Sequence, residues 1–540
     1  MKSSSNSHFI LLTLFLLILT GATAIPDNGK SSALWPLPLN YTFGNNTVEI
    51  TSPCDLSLVI GEPTSFDDVL YEIFDFYKSK MFAAYNCSKD RTPPPPQDMI
   101  TGRNYLMAFI NTKDSYFPDE NIDESYRLKA NGQQTTIFAE TYSGFVYALE
   151  TFSQLLVFED AGAGKPPRCL MPGVYLNILD RPYFRWRGLM LDTARHYYPK
   201  TAIYRLLDGL MYAKMNVFHW HISDKDSFPL QLETIPSLSK HGAFSPEQIY
   251  TLADVEDIVL YAAKRGIRVI PEIDSPSHTL SWSYTPEFSD MVTCKDGDGV
   301  LDPSHPLAQK VLRGIYLDIQ RYFPDRYIHL GLDEIPELCW ENDKIKALKK
   351  QKNIDNLFDW YQNLLRDLTP TKKRINWYTP GDMFKYRDDD ILQYWGTSLD
   401  LTQFLANFKK NKVILSPSDV IYLDCGAGSY YGFNSWCGDL STWRHIYETN
   451  WTTLVGQEAL DRVLGVEAAL WSELSNEDTL DGKIWPRLLA LAEKLWNPEP
   501  KEKMARRMQA AVNRIRERGI NSLPMLSGLC ERNIESCVDI

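Results

Sequence analysis

From Phe184 onward the chain repeats one pattern: a short apolar, β-prone run, then a stretch with helical periodicity. Strands that alternate with helices build βαβ units, whose strands lie parallel and are covered on both faces. The strand candidates are Trp186 to Leu191, Asn216 to Ile222, Ile267 to Ile273, Tyr327 to Gly331, Arg374 to Tyr378, Ile391 to Trp395, Val413 to Ser416 and Leu464 to Trp471. Helical stretches separate most of them, for example Ile203 to Lys214, Leu252 to Lys264 and Leu307 to Tyr322. Eight such strands close naturally into a (β/α)8 TIM barrel, so the expected class is α/β with a barrel domain over 181–540 that ends in a C-terminal helix and tail.

Barrels bind ligands at the C-terminal ends of their strands, which makes the residues there the ones to read. The first strand leads into Asp192-Thr193-Ala194-Arg195-His196, and the second runs through His219-Trp220-His221 to Asp224. The third ends in Asp274 and, four residues on, His278. Later ends carry Trp377, Trp395, Tyr422-Leu423-Asp424 and Trp471-Ser472-Glu473. The fourth is Tyr327-Ile328-His329-Leu330-Gly331-Leu332-Asp333-Glu334, an apolar run that stops at two adjacent carboxylates. Alone, Asp333 and Glu334 read more readily as the cap of a following helix than as a catalytic pair. Helix caps do not recruit three tryptophans, however, and the whole set of ends reads as an active site. Two acids in one pocket cannot both ionise cheaply, so one carboxylate and one carboxylic acid are expected near neutral pH.

Residues 26–180 read as a smaller α/β support domain with an antiparallel sheet. Helical patterns run near Asp67 to Ala84 and from Ser143 to Phe158, the break Pro93-Pro94-Pro95-Pro96 lies between them, and the Gly-rich turn from Ala161 to Pro167 closes the segment. At 540 residues and 44% hydrophobic, the chain has material for two cores. A net charge of -13 argues against nucleic acid as partner.

Lys2, the apolar run Phe9 to Leu19 and the small residues Ala22-Thr23-Ala24 read as a signal peptide over 1–24; the run is short for a comfortable membrane span, and a retained anchor is the minority reading. No later stretch is long and uncharged enough to be one, so the expected location is the secretory pathway, ending outside the cell, in the cell wall, or in a vacuole or lysosome. Sequons at Asn40, Asn45, Asn86 and Asn450 become glycan sites there. An oxidising compartment favours disulfides, and nine cysteines leave one over. The pairs expected are Cys54–Cys87, Cys294–Cys339, Cys425–Cys437 and Cys530–Cys537, with Cys169 unpaired; other pairings stay open. No CxxC or HxxxH cluster points to a metal, and no cofactor is expected.

The motifs Leu191-Asp192-Thr193-Ala194-Arg195-His196-Tyr197, His219-Trp220-His221, Asp274-x-x-x-His278 and His329-x-Gly331-x-Asp333-Glu334 together resemble family 20 of the glycoside hydrolases, the β-N-acetylhexosaminidases. The likeness is strongest to the eukaryotic lysosomal and plant secretory members, and the helix Tyr147 to Leu155 is similar to the family's first-domain signature. It implies retaining, exo-acting removal of terminal N-acetylglucosamine, with N-acetylgalactosamine left open. In this family the 2-acetamido oxygen of the substrate attacks its own anomeric carbon, so no carboxylate nucleophile is needed. By resemblance Glu334 is the general acid and base and Asp333 orients the acetamide. Asp224 and His278 resemble the relay that tunes that acid. Arg195 and Glu473 resemble the groups that grip the sugar hydroxyls, and Tyr422, beside Asp424, the hydroxyl that points the acetamide oxygen. Trp377, Trp395 and Trp471 resemble the aromatic walls.

The resemblance implies a glycan partner, an N-glycan or chitooligosaccharide end. It allows a homodimer, for which the sequence shows no self-complementary patch. Two departures stand out: Leu332 occupies a position where relatives usually carry glycine, and Tyr378-Thr379 replaces acidic or amide residues after Trp377. Two other classes fit the same fold: a catalytically weak carbohydrate-binding protein, and a glycosidase with a protein nucleophile.

Overall fold

The computed structural model describes residues 34–532, apart from 45–46, 86, 88–104, 132–133, 163–164, 173–174, 381–383 and 427–436. The leader, the four-proline break, Cys537 and the sequons at Asn45 and Asn86 lie outside the described residues. The chain divides into two compact units, 1–115 with 124–181, and 116–123 with 182–540. Tyr116–Asp123, expected in the first domain, therefore belongs to the second unit. There Glu120 accepts a hydrogen bond from the Tyr327 hydroxyl at 2.7 Å and meets Lys373 Nζ at 2.6 Å.

The first unit is a six-stranded sheet in the order Asn40–Thr42, Leu176–Asp180, Tyr126–Ala130, Thr135–Ala139, Tyr105–Ile110, Ser57–Ile60. Its first three ladders are antiparallel and its last two parallel. The helix Tyr142–Leu155 is buried along its whole length. Thr141 caps it by accepting from the Gly144 N–H, and a Cβ on Gly144 would sit 2.7 Å from the Ser125 carbonyl, which is why glycine stands there. This helix stops short of Phe158. Leu156 turns extended, and Val157–Glu159 pairs antiparallel with the strand Arg168–Pro172, which still belongs to this unit; part of the Gly-rich turn, 163–164, lies outside the described residues.

The second unit is the barrel. Its strands are β1 (Trp186–Asp192), β2 (Val217–Ser223), β3 (Arg268–Ser275), β4 (Tyr327–Gly331), β5 (Lys373–Trp377), β6 (Ile391–Tyr394), β7 (Lys412–Leu415) and β8 (Val463–Leu470). All neighbours are parallel, and β8 pairs with β1 to close the ring.

Side chains alternate across a strand, so every second residue points into the barrel and successive inward residues build layers. The lowest layer is apolar: Trp186, Val217, Ile270, Tyr327, Ile375, Ile391 and Ile414 fill it. Two residues further along the strands come His219, Glu272, His329, Trp377, Gln393 and Glu467, all fully or almost fully buried. One more step brings His221, Asp274 and Trp395 toward the open end. Contacts among them offset part of the cost of burying these polar groups; the Gln393 amide, for example, donates to Ser416 Oγ at 2.9 Å and Glu467 Oε1 at 2.8 Å.

Disulfides join Cys54 to Cys87, Cys294 to Cys339 and Cys425 to Cys437, and Cys169 is free and buried. Asn40 and Asn450 are exposed. Among the described residues no helix is long and apolar enough to cross a membrane.

Candidate active site

A cavity of about 240 Å³ opens at the C-terminal ends of the strands. It is lined by Arg195, Asp224, His278, Asp333, Glu334, Trp377, Trp395, Tyr422, Trp471 and Glu473, residues that lie as far as 278 positions apart in the chain. Asp424 stands just behind, its Oδ1 accepting from the Trp471 backbone N–H at 3.4 Å. Lys225, Asp274 and Asp298 also line the cavity, and sequence reasoning gave none of them a role. Asp274 was visible as the first residue of a motif; Lys225 and Asp298 sit in loops without any periodic signal, joined by an ion pair of 2.6 Å.

Each strand end places its side chain by local hydrogen bonding. After β1, Asp192 Oδ1 accepts from the backbone N–H groups of Ala194 and Arg195 at 2.9 and 3.1 Å. That turn folds Arg195 back over the barrel mouth, where its guanidinium meets Asp192 at 3.1 Å and Asp224 at 2.8 Å. The same guanidinium stacks 5.1 Å from the Trp471 ring. After β3, His278 adopts φ 58° and Ser277 Oγ donates to the Glu334 carbonyl at 3.0 Å.

The end of β4 is the most strained backbone in the site. Gly331 has φ 71°, and a Cβ there would overlap Asp274 Oδ1, so only glycine lets β3 and β4 come this close. Leu332 and Glu334 follow at φ 73° and 46°, values that side chains disfavour and that tend to persist where function needs them. Leu332 is buried, and its carbonyl accepts from Thr379 Oγ1 at 3.1 Å. The two departures noted in the sequence thus meet in one hydrogen bond: Thr379 anchors the left-handed turn that Leu332 must adopt.

The acids and the histidine form a line. His278 Nδ1 lies 3.3 Å from Asp224 Oδ1, and its Nε2 lies 3.4 Å from Glu334 Oε2 and 3.9 Å from Asp333 Oδ2. Burial opposes a charge on His278, but Asp224 and Asp274 outweigh it and hold the imidazole protonated far above its usual range. Arg195 and His278 in turn hold Asp224 ionised despite its burial. Contact with His278 lowers Glu334, whereas burial, aided by the charge on Glu334, pushes Asp333 up to about 6. The two acids are pushed apart, but with Asp333 at about 6 and Glu334 lowered both are mainly ionised near neutral pH, so the expected carboxylate and carboxylic acid pair does not hold there. In the open cavity it is Asp333 that holds its proton more tightly, because Glu334 faces the imidazolium and is 56% exposed.

Aromatic faces wall the rest. Trp377 and Trp471 lie 5.8 Å apart at 42°, Tyr422 packs 6.4 Å from Trp471, and the Trp395 indole N–H donates to the Tyr378 carbonyl at 2.7 Å. Burial raises Glu473, and it raises Asp424 to about 7. Asp274, His278 and Asp333 bring one ligand atom each within 4.8 Å of one another.

A parallel barrel whose open end joins paired carboxylates, a protonated histidine and aromatic walls has the layout of a glycoside hydrolase. Comparison with known proteins narrows this. Residues 184–499 match the model of the glycosyl hydrolase family 20 catalytic domain, and 34–155 match a domain described as beta-acetyl hexosaminidase like. The chain belongs to glycosyl hydrolase family 20. It is 32% identical over 507 residues to a chitooligosaccharidolytic beta-N-acetylglucosaminidase of Ostrinia furnacalis, covering 86% of this chain and 82% of that protein. It is 31% identical to the beta-hexosaminidase subunit beta of Felis catus, covering 96% and 98% respectively. Among solved structures, a chitobiase of Flavobacterium johnsoniae superposes with a TM-score of 0.75 at 26% identity, over 91% of this chain and 73% of the other.

Proposed function

We propose that the protein is a retaining exo-β-N-acetylhexosaminidase that releases terminal N-acetylglucosamine from glycan ends by substrate-assisted catalysis. The observation that carries the reading is the line Asp224, His278, Glu334 with Asp333 beside it, at the open end of the barrel. Membership of the family supports it.

In this mechanism Asp333 receives the acetamide N–H and turns its oxygen toward the anomeric carbon. The carbon–oxygen bond of the oxazolinium forms as the glycosidic bond breaks, and Glu334 passes its proton to the leaving oxygen. A sugar filling the cavity covers the half-exposed Glu334 carboxyl and strips its water, which raises its proton affinity toward what an acid requires. His278, protonated and 3.4 Å away, can supply that proton. Water then opens the ring while Glu334 takes a proton back. Arg195 and Glu473 hold the outer hydroxyls, Tyr422 the acetamide oxygen, and Trp377, Trp395 and Trp471 enclose ring and methyl, with Asp424 bracing Trp471.

For the natural substrate we favour chitooligosaccharide or N-glycan ends, the former in line with the chitooligosaccharidolytic relative of Ostrinia furnacalis. Passage through the secretory pathway fits the three disulfides. The test is release of 4-nitrophenol from the β-glycosides of N-acetylglucosamine and of glucose by the native protein and by Asp333→Asn and Glu334→Gln. Cleavage of the acetamido sugar alone, lost in Asp333→Asn, is the expected result. Equal cleavage of both sugars would overturn substrate assistance.

A further inference from the structure

Beneath the cavity lies a buried charge that the reaction as described does not use. Glu272 on β3 is fully buried, its carboxylate against His221 Nδ1 at 2.7 Å, His219 Nε2 at 2.9 Å and His329 Nδ1 at 2.9 Å. Its Oε1 also accepts the Trp377 indole N–H at 2.8 Å. One carboxylate therefore reaches both halves of the site. Through Trp377 it touches an aromatic wall; through His221, whose Nε2 lies 2.9 Å from Asp224 Oδ2, it touches the proton line.

Burying a carboxylate this deeply is expensive unless its partners compensate, and an apolar side chain would fill the space at less cost. The partners here are chemically connected to the reaction. Glu272 keeps His221 protonated against burial. A protonated His221 competes with His278 for Asp224, because both imidazoles and Arg195 converge on that one carboxylate. The other charged groups facing His221 are Asp192 and Asp274, and those facing His278 are Asp274, Asp333 and Glu334. Among the charged groups of the described residues, Glu272 is the one seen to contact both Trp377 and His221, while the neutral Trp471 ring also lies against both.

We propose that Glu272 is a positioning residue: it seats the Trp377 indole against the acetamide and, through His221, sets how firmly the Asp224–His278 pair holds the proton bound for Glu334. The proposal rests on the hexosaminidase reading. It predicts that removing the charge on Glu272 frees His221 of its proton, leaves Asp224 to His278 and Arg195, and raises the proton affinity of the line.

The experiment follows pH profiles of kcat and kcat/KM on 4-nitrophenyl N-acetyl-β-glucosaminide for Glu272→Gln, His221→Gln and Trp377→Phe, with melting curves to establish folding. Glu272→Gln is expected to move the basic limb up by about half a pH unit or more and to raise KM about three- to tenfold. His221→Gln should move the limb with little change in KM, and Trp377→Phe should raise KM without moving the limb. A basic limb that stays at its native position in folded Glu272→Gln or His221→Gln overturns the proposal, since lost packing alone lowers kcat without displacing it. If Glu272→Gln does not fold, the other two variants decide: a limb that fails to move in His221→Gln, or moves equally in Trp377→Phe, overturns it. No hydrolysis by the native protein at any pH would instead overturn the hexosaminidase reading.

Discussion

Asp333 is held in a place where its charge is unwelcome, and Asp333→Asn should therefore stabilise the fold while abolishing turnover. Its carboxyl is raised from 3.8 to about 6, chiefly by burial. A difference of about two pH units corresponds to about 3 kcal/mol, an upper value because the asparagine amide must also be accommodated. The sign follows from proton counting. Below about pH 4 the side chain is protonated in both folded and unfolded chains and costs nothing. Between about 4 and 6 the folded chain keeps a proton that the unfolded chain has lost, so stability falls as pH rises. Above about 6 the penalty is complete. Calorimetric melting from pH 4 to 8 should show Asp333→Asn above the native protein by about 2–4 °C at pH 7.5, the two curves converging toward pH 4. A variant that melts below the native protein at pH 7.5, or an offset independent of pH, would refute the reasoning. The expected outcome is a residue that spends stability on function.

Glu334→Gln should lose about 10²–10⁴-fold in kcat on glycosides with alkyl leaving groups but far less on 4-nitrophenyl glycosides, whose phenolate leaves without a proton; equal losses on both would remove Glu334 from the acid role. Leu332→Gly relieves a φ of 73° worth about 1 kcal/mol but vacates a buried leucine site worth about 2–5 kcal/mol, so its melting temperature should fall; a rise would show that strain, not packing, dominates at the end of β4. Arg195→Lys should lower kcat/KM about 100-fold or more, because an ammonium cannot bridge Asp192 and Asp224 while offering a fork to a diol; parity with the native enzyme in steady-state kinetics would contradict that placement.

The barrel was legible because its signal is local and repeated: eight buried runs, each followed by a polar end. The acid pair, His278 and the tryptophans were legible for the same reason, since a strand end is a position that pattern alone identifies. What stayed hidden depends on side chains meeting across the ring. Nothing local in Pro271-Glu272-Ile273 says that Glu272 will face three imidazoles contributed by β2 and β4. The order of the two acids was equally out of reach, because it turns on a distance of 3.4 Å between Glu334 and a histidine 56 positions earlier. Lys225 and Asp298 come from loops, where periodicity carries no information. The strand at Phe158 was misread because a 3.6-residue pattern that ends in β-prone residues does not mark its own last turn.

The apolar layer formed by Trp186, Val217, Ile270, Tyr327, Ile375, Ile391 and Ile414 stoppers the barrel from below. Substrate and product consequently share one doorway. A polymer cannot thread through, so each catalytic cycle must end with the freed monosaccharide backing out past the shortened chain before another end can enter. Traffic at that doorway, rather than bond cleavage, then becomes a natural limit on turnover, and accumulated monosaccharide an obstacle that sits where the next chain end must go.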